Sequence, residues 1–184
     1  MDTIQDLNNL SNKIIEMIPE ITYAGNTILR QKTKEVSFEE GMEMGKKMCD
    51  VLKRYRDITG VGRGLAAPQI GSNGSVFITY IENIFKIYIN PQIVSFSEKK
   101  NIYKENCISS FHIWCDVVRP LSITISYTNE QNELVTDECS SFLARLIQHE
   151  YDHLLGVLNI DKAEQGTLEF KLGDPLKEVL REID

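Results

Sequence analysis

Apolar side chains recur at helical spacing in three stretches of the chain. Ile4, Leu7, Leu10, Ile14, Ile15 and Ile18 predict an amphipathic helix over residues 3–18, ending before Pro19. This N-terminal arm, residues 1–20, either packs on the domain or serves a partner. A second helix follows Ser37, which has the chemistry of an N-cap, with Glu39 and Glu40 in the first turn complementing the dipole. Phe38, Met42, Gly45, Met48, Cys49, Leu52 and Tyr55 keep its spacing to about residue 56. The third run is Phe142, Leu143, Leu146, Ile147 and Leu154, capped by Ser140 or Ser141 and ended by Gly156.

Elsewhere the pattern is that of strands. Residues 75–81 and 85–89 are apolar and β-branched; Asn90-Pro91 reads as a turn, and 92–96 as another strand. Residues 97–101 read as a loop. Leu121 to Tyr127 alternate apolar and polar, and Asn129 to Asn132 make a hairpin loop into Leu134-Val135-Thr136. After Gly156, residues 157–160 read as a short strand or a return across the core. Asp174-Pro175 opens a C-terminal helix within the tail 162–184. The expected fold is α+β in one domain, 1–184: antiparallel sheets around the third helix, with additional N-terminal and C-terminal helices.

With 184 residues, 42% hydrophobic and 26% charged, the chain suits one globular domain with a substantial core. A net charge of −7 argues against a broad nucleic-acid or anionic-membrane footprint. No apolar run approaches membrane-span length, and the first residues lack the basic region of a secretory signal, so a cytoplasmic location is expected. Cys49, Cys107, Cys115 and Cys139 then read as free thiols rather than a disulfide framework.

The third helix carries the chemistry. His149 and His153 are four residues apart, so both imidazoles lie on one face and reach one metal ion. Glu150, in the same turn, can take a proton from water at that ion, which is the mechanics of H-E-x-x-H. Two imidazoles alone hold a metal weakly, and a catalytic site normally has three protein ligands. No histidine follows His153, and Glu164 and Glu169 lie in an uncued stretch. Upstream, Gly60 to Gly71 form a Gly-rich loop with no phosphate-loop ending; it reads as a substrate-facing loop with Gln69 offering an amide donor. Cys107 lies in a Glu-x-Cys-Ile-Ser context.

At these three places the chain resembles the peptide deformylase family. G-x-G-L-A-A-x-Q is met by Gly62 to Gln69, and Q-H-E-x-D-H by Gln148 to His153. E-G-C-L-S is met at Glu105 to Ser109, with Asn106 for the glycine and Ile108 for the leucine. The resemblance runs from Thr27 to about Asp161. It implies that Cys107, His149 and His153 bind one divalent ion, Fe2+ natively, with Zn2+ or Ni2+ fitting the same donors. It implies Glu150 as general base and then acid, with Gln69 and the Ile108 N–H on the developing oxyanion. Gly64 would bond the substrate backbone, Phe142 and Leu146 would receive the formyl-methionine side chain, and Glu105 would join them at the substrate. The activity implied is removal of the formyl group from nascent formyl-methionyl chains, releasing formate. The formylated nascent peptide is the implied partner, with ribosome docking left open and no nucleic-acid or membrane site.

Asp152 is expected to pair with Arg119 and brace the site. Arg145 shares the His149 face and either reaches Glu105, alters which first residue is accepted, or lays its stem on the pocket with its head in water. Asn106 stands where a Cβ obstructs and where asparagine tolerates left-handed backbone. Residues 110–115 contain no proline, and Arg63 brings a charge to the mouth of the loop. His112 reads as structural or surface, Cys49, Cys115 and Cys139 as core thiols. Two further functions fit the same helix: a catalytically weak or inactive deformylase-like scaffold, and a zinc endopeptidase.

Overall fold

The computed structural model describes residues 4–171 and 181–183. Three helices, α1 (Ile4–Met17), α2 (Phe38–Thr59) and α3 (Ser141–Leu154), pack with two antiparallel sheets. The larger sheet has the order β1-β2-β3-β6-β7: β1 Gly64–Ala66, β2 Val76–Ile81, β3 Ile84–Phe96, β6 Ser122–Thr128 and β7 Leu134–Ser140. The smaller has the order β8-β5-β4-β9: β4 Lys100–Asn106, β5 Ile113–Pro120, β8 Glu169–Phe170 and β9 Arg181–Ile183.

The helix signals act as their chemistry requires. Ser37 Oγ accepts from Glu40 N at 3.3 Å, and Glu40 Oε2 accepts from Ser37 N at 2.9 Å, a reciprocal capping box that starts α2. Gly60, left-handed at φ 74, ends it. Along α2, Gly41 and Gly45 lie directly on Ile89 and Ile87 of β3; any side chain there would meet those isoleucines. Ile14 and Ile18, with exposures of 1% and 0%, seal the same core, so the N-terminal arm packs on the domain. On the other face of the large sheet, Phe77, Tyr88 and Tyr127 pack in series with Ala144, Ile147 and Leu154 of α3. Thus α3 is held against the large sheet while reaching β5 of the small one.

Four expectations are corrected. Asn90-Pro91 is no turn: β3 runs through it with a bulge. Asn90 takes φ 49 and binds Val36 with both ends of its amide, accepting from Val36 N at 3.0 Å and donating to Val36 O at 2.8 Å. Pro91, lacking an N–H, occupies the position the ladder skips. Residues 100 and 101, expected in a loop, open β4, because Asn101 is buried against Arg145. The tail is also different. Residues 157–160 lead into a 3-10 turn, Asn159–Lys162. Glu169–Phe170 and Arg181–Ile183 are strands on β5 and β4, whose edges offer backbone partners; the rest of the expected C-terminal helix, residues 172–180, lies outside the described residues. Asn106 is corrected too: it is extended, paired with Trp114, so no left-handed backbone is demanded there.

Candidate active site

α3 presents His149, Glu150 and His153 to the interior, with exposures of 9%, 3% and 1%. The chain enters this helix at Ser140, which sits at the cap position without a side-chain capping bond; the Ser141 N–H instead donates to Leu121 O at 2.9 Å. Gln148 fastens α3 to the end of β5, its Nε2 donating to Pro120 O at 3.0 Å.

Cys107 arrives from the other sheet, at the junction between β4 and a 3-10 turn, Ile108–Ser110. Its sulfur lies 3.3 Å from His153 Nε2. The Cys107 sulfur and one ring nitrogen from each histidine all fall within 4.8 Å of one another. The free thiols Cys115 and Cys139 are buried, as expected, while Cys49 is only half-buried beside the core. Burial pushes the Cys115 thiol up to about 12.

Behind the histidines lies a buried ionic cluster. Glu105 Oε2 sits 2.9 Å from His149 Nδ1, which leaves Nε2 as the ring nitrogen available to an ion. The same carboxylate accepts from Arg119 Nε and Nη2, at 2.6 and 2.9 Å, and from Arg145 Nη1. Arg119 Nη1 donates to Asp152 Oδ2 at 2.7 Å, the expected brace, and Lys162 Nζ reaches Asp152 Oδ1 at 2.6 Å. Burial would raise the Glu105 carboxyl, but the Arg119 charge and the bonds from His149 and Arg119 hold it well below the usual range. Glu105 lines the cleft, and both its oxygens are already engaged, one of them at the back of the His149 ring. Arg145 turns inward, donating to Glu105, to Val117 O at 3.1 Å and to both the backbone and side-chain oxygens of Asn101, so its head is not in water.

Burial also pushes the Glu150 carboxyl up to about 7, against the pull of His149. Glu150 Oε2 is buried without a hydrogen-bond partner. Gly64 explains how it fits: a Cβ there would lie 2.3 Å from Glu150 Oε1. Burial disfavours charge on both imidazoles. For His149 the Cys107 sulfur and Glu105 outweigh it and raise the ring well above the ordinary value; for His153 nothing does, and the His149 charge lowers it further.

A cleft of about 730 Å³, counted to its open mouth, leads to this centre. Its walls include Gly64, Gln69, Ile108, Phe142, Leu146, His149 and Glu150, so the expected catalytic and substrate residues from four separate elements converge. Gln69 is 1% exposed and held in one orientation: Oε1 accepts from Ala66 N at 2.8 Å, which aims Nε2 at Cys107 Sγ (3.5 Å) and Ser109 Oγ (3.2 Å). Ile108 opens the 3-10 turn, where the first N–H groups have no partner inside the turn. Sequence reasoning missed Tyr55 and Tyr103 on the cleft wall and Asn159, which bonds Ser110 Oγ at 3.3 Å. Tyr55 carries only the signal of a core stripe, and Asn159 none. His112 is structural, its Nε2 3.1 Å from Ser11 Oγ of α1.

A sequence profile described as polypeptide deformylase matches residues 18–168. The chain is 38% identical over 150 residues to the peptide deformylase of Borreliella burgdorferi, spanning 79% of this chain and 88% of that protein. Among solved structures, the Thermotoga maritima peptide deformylase is similar with a TM-score of 0.72 at 33% identity, covering 78% of this chain and 96% of that one. A class I type b peptide deformylase of Acinetobacter baumannii with Met-Ala-Ser bound is similar with a TM-score of 0.70 at 26% identity, covering 77% of this chain and 96% of that one.

Proposed function

The chain belongs to the polypeptide deformylase family, and from that premise we propose how its own residues remove the formyl group from formyl-methionyl nascent chains. The family uses a single divalent metal, and the donors here fit one. A cysteine sulfur and two ring nitrogens converge within 4.8 Å, and three protein donors leave a position for water, as catalytic sites need. Cys107, His149 and His153 are the ligands in this reading. One soft sulfur with two imidazoles suits Fe2+, our choice for the native ion, with Zn2+ or Ni2+ accepted by the same donors. The ion supplies Lewis acidity that brings the pKa of water toward neutrality.

The remaining work belongs to the protein. Glu105 holds the His149 ring through Nδ1 and so fixes which nitrogen faces the site. Glu150 Oε2, unpartnered and near neutrality in its affinity for a proton, takes one from the attacking water. Water adds to the formyl carbon, and the charge that grows on the formyl oxygen meets Gln69 Nε2 and the Ile108 N–H. Glu150 then hands its proton to the departing nitrogen; the C–N bond breaks, giving formate and a free α-amine. Phe142 and Leu146 receive the methionine side chain and Gly64 offers its backbone to the peptide. We place this work in the cytoplasm, on formylated nascent chains, with residues 1–184 acting as one domain. Among the described residues no helix is long and apolar enough to cross a membrane.

The convergence of one sulfur and two imidazoles beside an unpartnered carboxylate carries the proposal. Formate release from formyl-Met-Ala-Ser by anaerobically iron-loaded protein tests it. Turnover that Glu150→Gln abolishes is expected; no formate from fully metallated protein refutes it.

A further inference from the structure

The loop that carries Cys107 and Ile108 springs from the paired ends of β4 and β5, where Asn106 faces Trp114, and one side chain adds two further bonds across its neck. Asn106, the last residue of β4, donates from Nδ2 to Phe111 O and, at 3.1 Å, to Ile113 O. Both hydrogens of that amide are thereby used, across a loop of only six residues, 107–112. No proline stiffens this stretch, and Phe111 takes φ 50 and ψ −116, a conformation that L residues rarely adopt and that something must hold. The outer side of the loop is fixed by the N-terminal segment. The Phe111 ring stacks on Tyr23 at 4.2 Å and 8°, and Ala24 N donates to Ser109 O at 2.8 Å. On the inner side, Ser110 N and Oγ donate to Cys107 O and Phe111 N donates to Ile108 O, and the Asn106 amide adds the two side-chain bonds that reach on to Phe111 O and Ile113 O.

We propose that Asn106 is a positioning residue: its amide clamps the 107–112 loop, so that the Cys107 sulfur and the Ile108 N–H are held in place opposite the imidazoles of α3. The family motif has glycine here, which cannot make either bond. The clamp is therefore this chain's own device, and it accounts for an asparagine at a position where the extended backbone does not require a glycine. It rests on Cys107 being a metal ligand.

The test uses the full chain loaded with Co2+, comparing wild type with Asn106→Gly and Asn106→Asp. The second variant keeps the size and loses both donors. Losing two neutral hydrogen bonds amounts to at least about tenfold in a local opening equilibrium. Both variants are expected to show amide exchange at residues 108–113 about tenfold faster than wild type, and cobalt loss to a chelator faster by a similar factor. The thiolate-to-cobalt absorption band should shift, and kcat should fall while KM stays within about twofold, since the clamp acts on groups that meet the transition state. Exchange, cobalt retention and band all unchanged in a folded variant of either kind overturn the clamp alone. A wild-type protein that binds cobalt with no thiolate band overturns the ligand assignment beneath it.

Discussion

A single added methyl group, Gly64→Ala, separates the geometry of the general base from the stability of the fold. The new Cβ would lie 2.3 Å from Glu150 Oε1, 2.7 Å from Cδ and 2.8 Å from Cγ, closer than carbon atoms tolerate. Gly64 does not have a positive φ, so alanine carries no backbone penalty there. What must give is the end of a flexible side chain, which has to withdraw by roughly 1 Å to reach ordinary contact. The protein therefore folds, with a stability change of about 1 kcal/mol or less in urea unfolding. Catalysis does not survive so well, because a 1 Å misplacement of a reacting group lowers turnover by about a hundredfold. That is about 2.7 kcal/mol on the barrier. Formate release from formyl-Met-Ala-Ser, followed over a range of substrate concentrations, should show the loss in kcat. A kcat within about threefold of wild type would refute the claim that Gly64 exists to seat Glu150.

Other perturbations probe separate parts of the account. Gln69→Leu removes the amide proposed to meet the formyl oxygen and should lower kcat by about 10²–10³, with little change in metal content by atomic emission. Arg119→Met leaves the Glu105 and Asp152 carboxylates buried without their shared cation; urea unfolding should register a loss of about 3–5 kcal/mol. Asp137, half-exposed, accepts from Lys86 and Tyr127, and those bonds hold its carboxyl below the ordinary value. A depressed carboxyl stabilises the fold above the unfolded value and loses that contribution as pH falls through the folded one. Asp137→Asn should therefore cost under about 1 kcal/mol at pH 7, and the gap from wild type should close below about pH 4. A gap that persists at low pH would contradict this.

How much of this was legible depended on whether a feature is local in the chain. The α3 site was open to reading because i, i+4 spacing alone puts His149 and His153 on one face. The Ser37 cap of α2 was equally local. The third donor was not: nothing near Cys107 says which helix it will meet, and only the resemblance named it. Arg119 pairing with Asp152 was expected, and Arg145 reaching Glu105 was one of three alternatives. The role of Glu105 itself was not, because it depends on β4 burying that side chain beneath α3, which is a matter of sheet register. Asn90-Pro91 misled for a related reason. The pair has turn chemistry, and only the contact of Asn90 with Val36 converts it into a bulge within one strand. Asn106 looked like a departure that obstructs; in three dimensions its side chain finds two carbonyls that the sequence does not place nearby.

The proposed centre requires one ion shared between a sulfur of the turn after β4 and two imidazoles of α3. X-ray absorption at the edge of the bound metal reads this directly. The expected spectrum has one sulfur at about 2.3 Å and two imidazole nitrogens near 2.0–2.1 Å, and Cys107→Ser should erase the sulfur. A wild-type ion with only nitrogen and oxygen neighbours would contradict it.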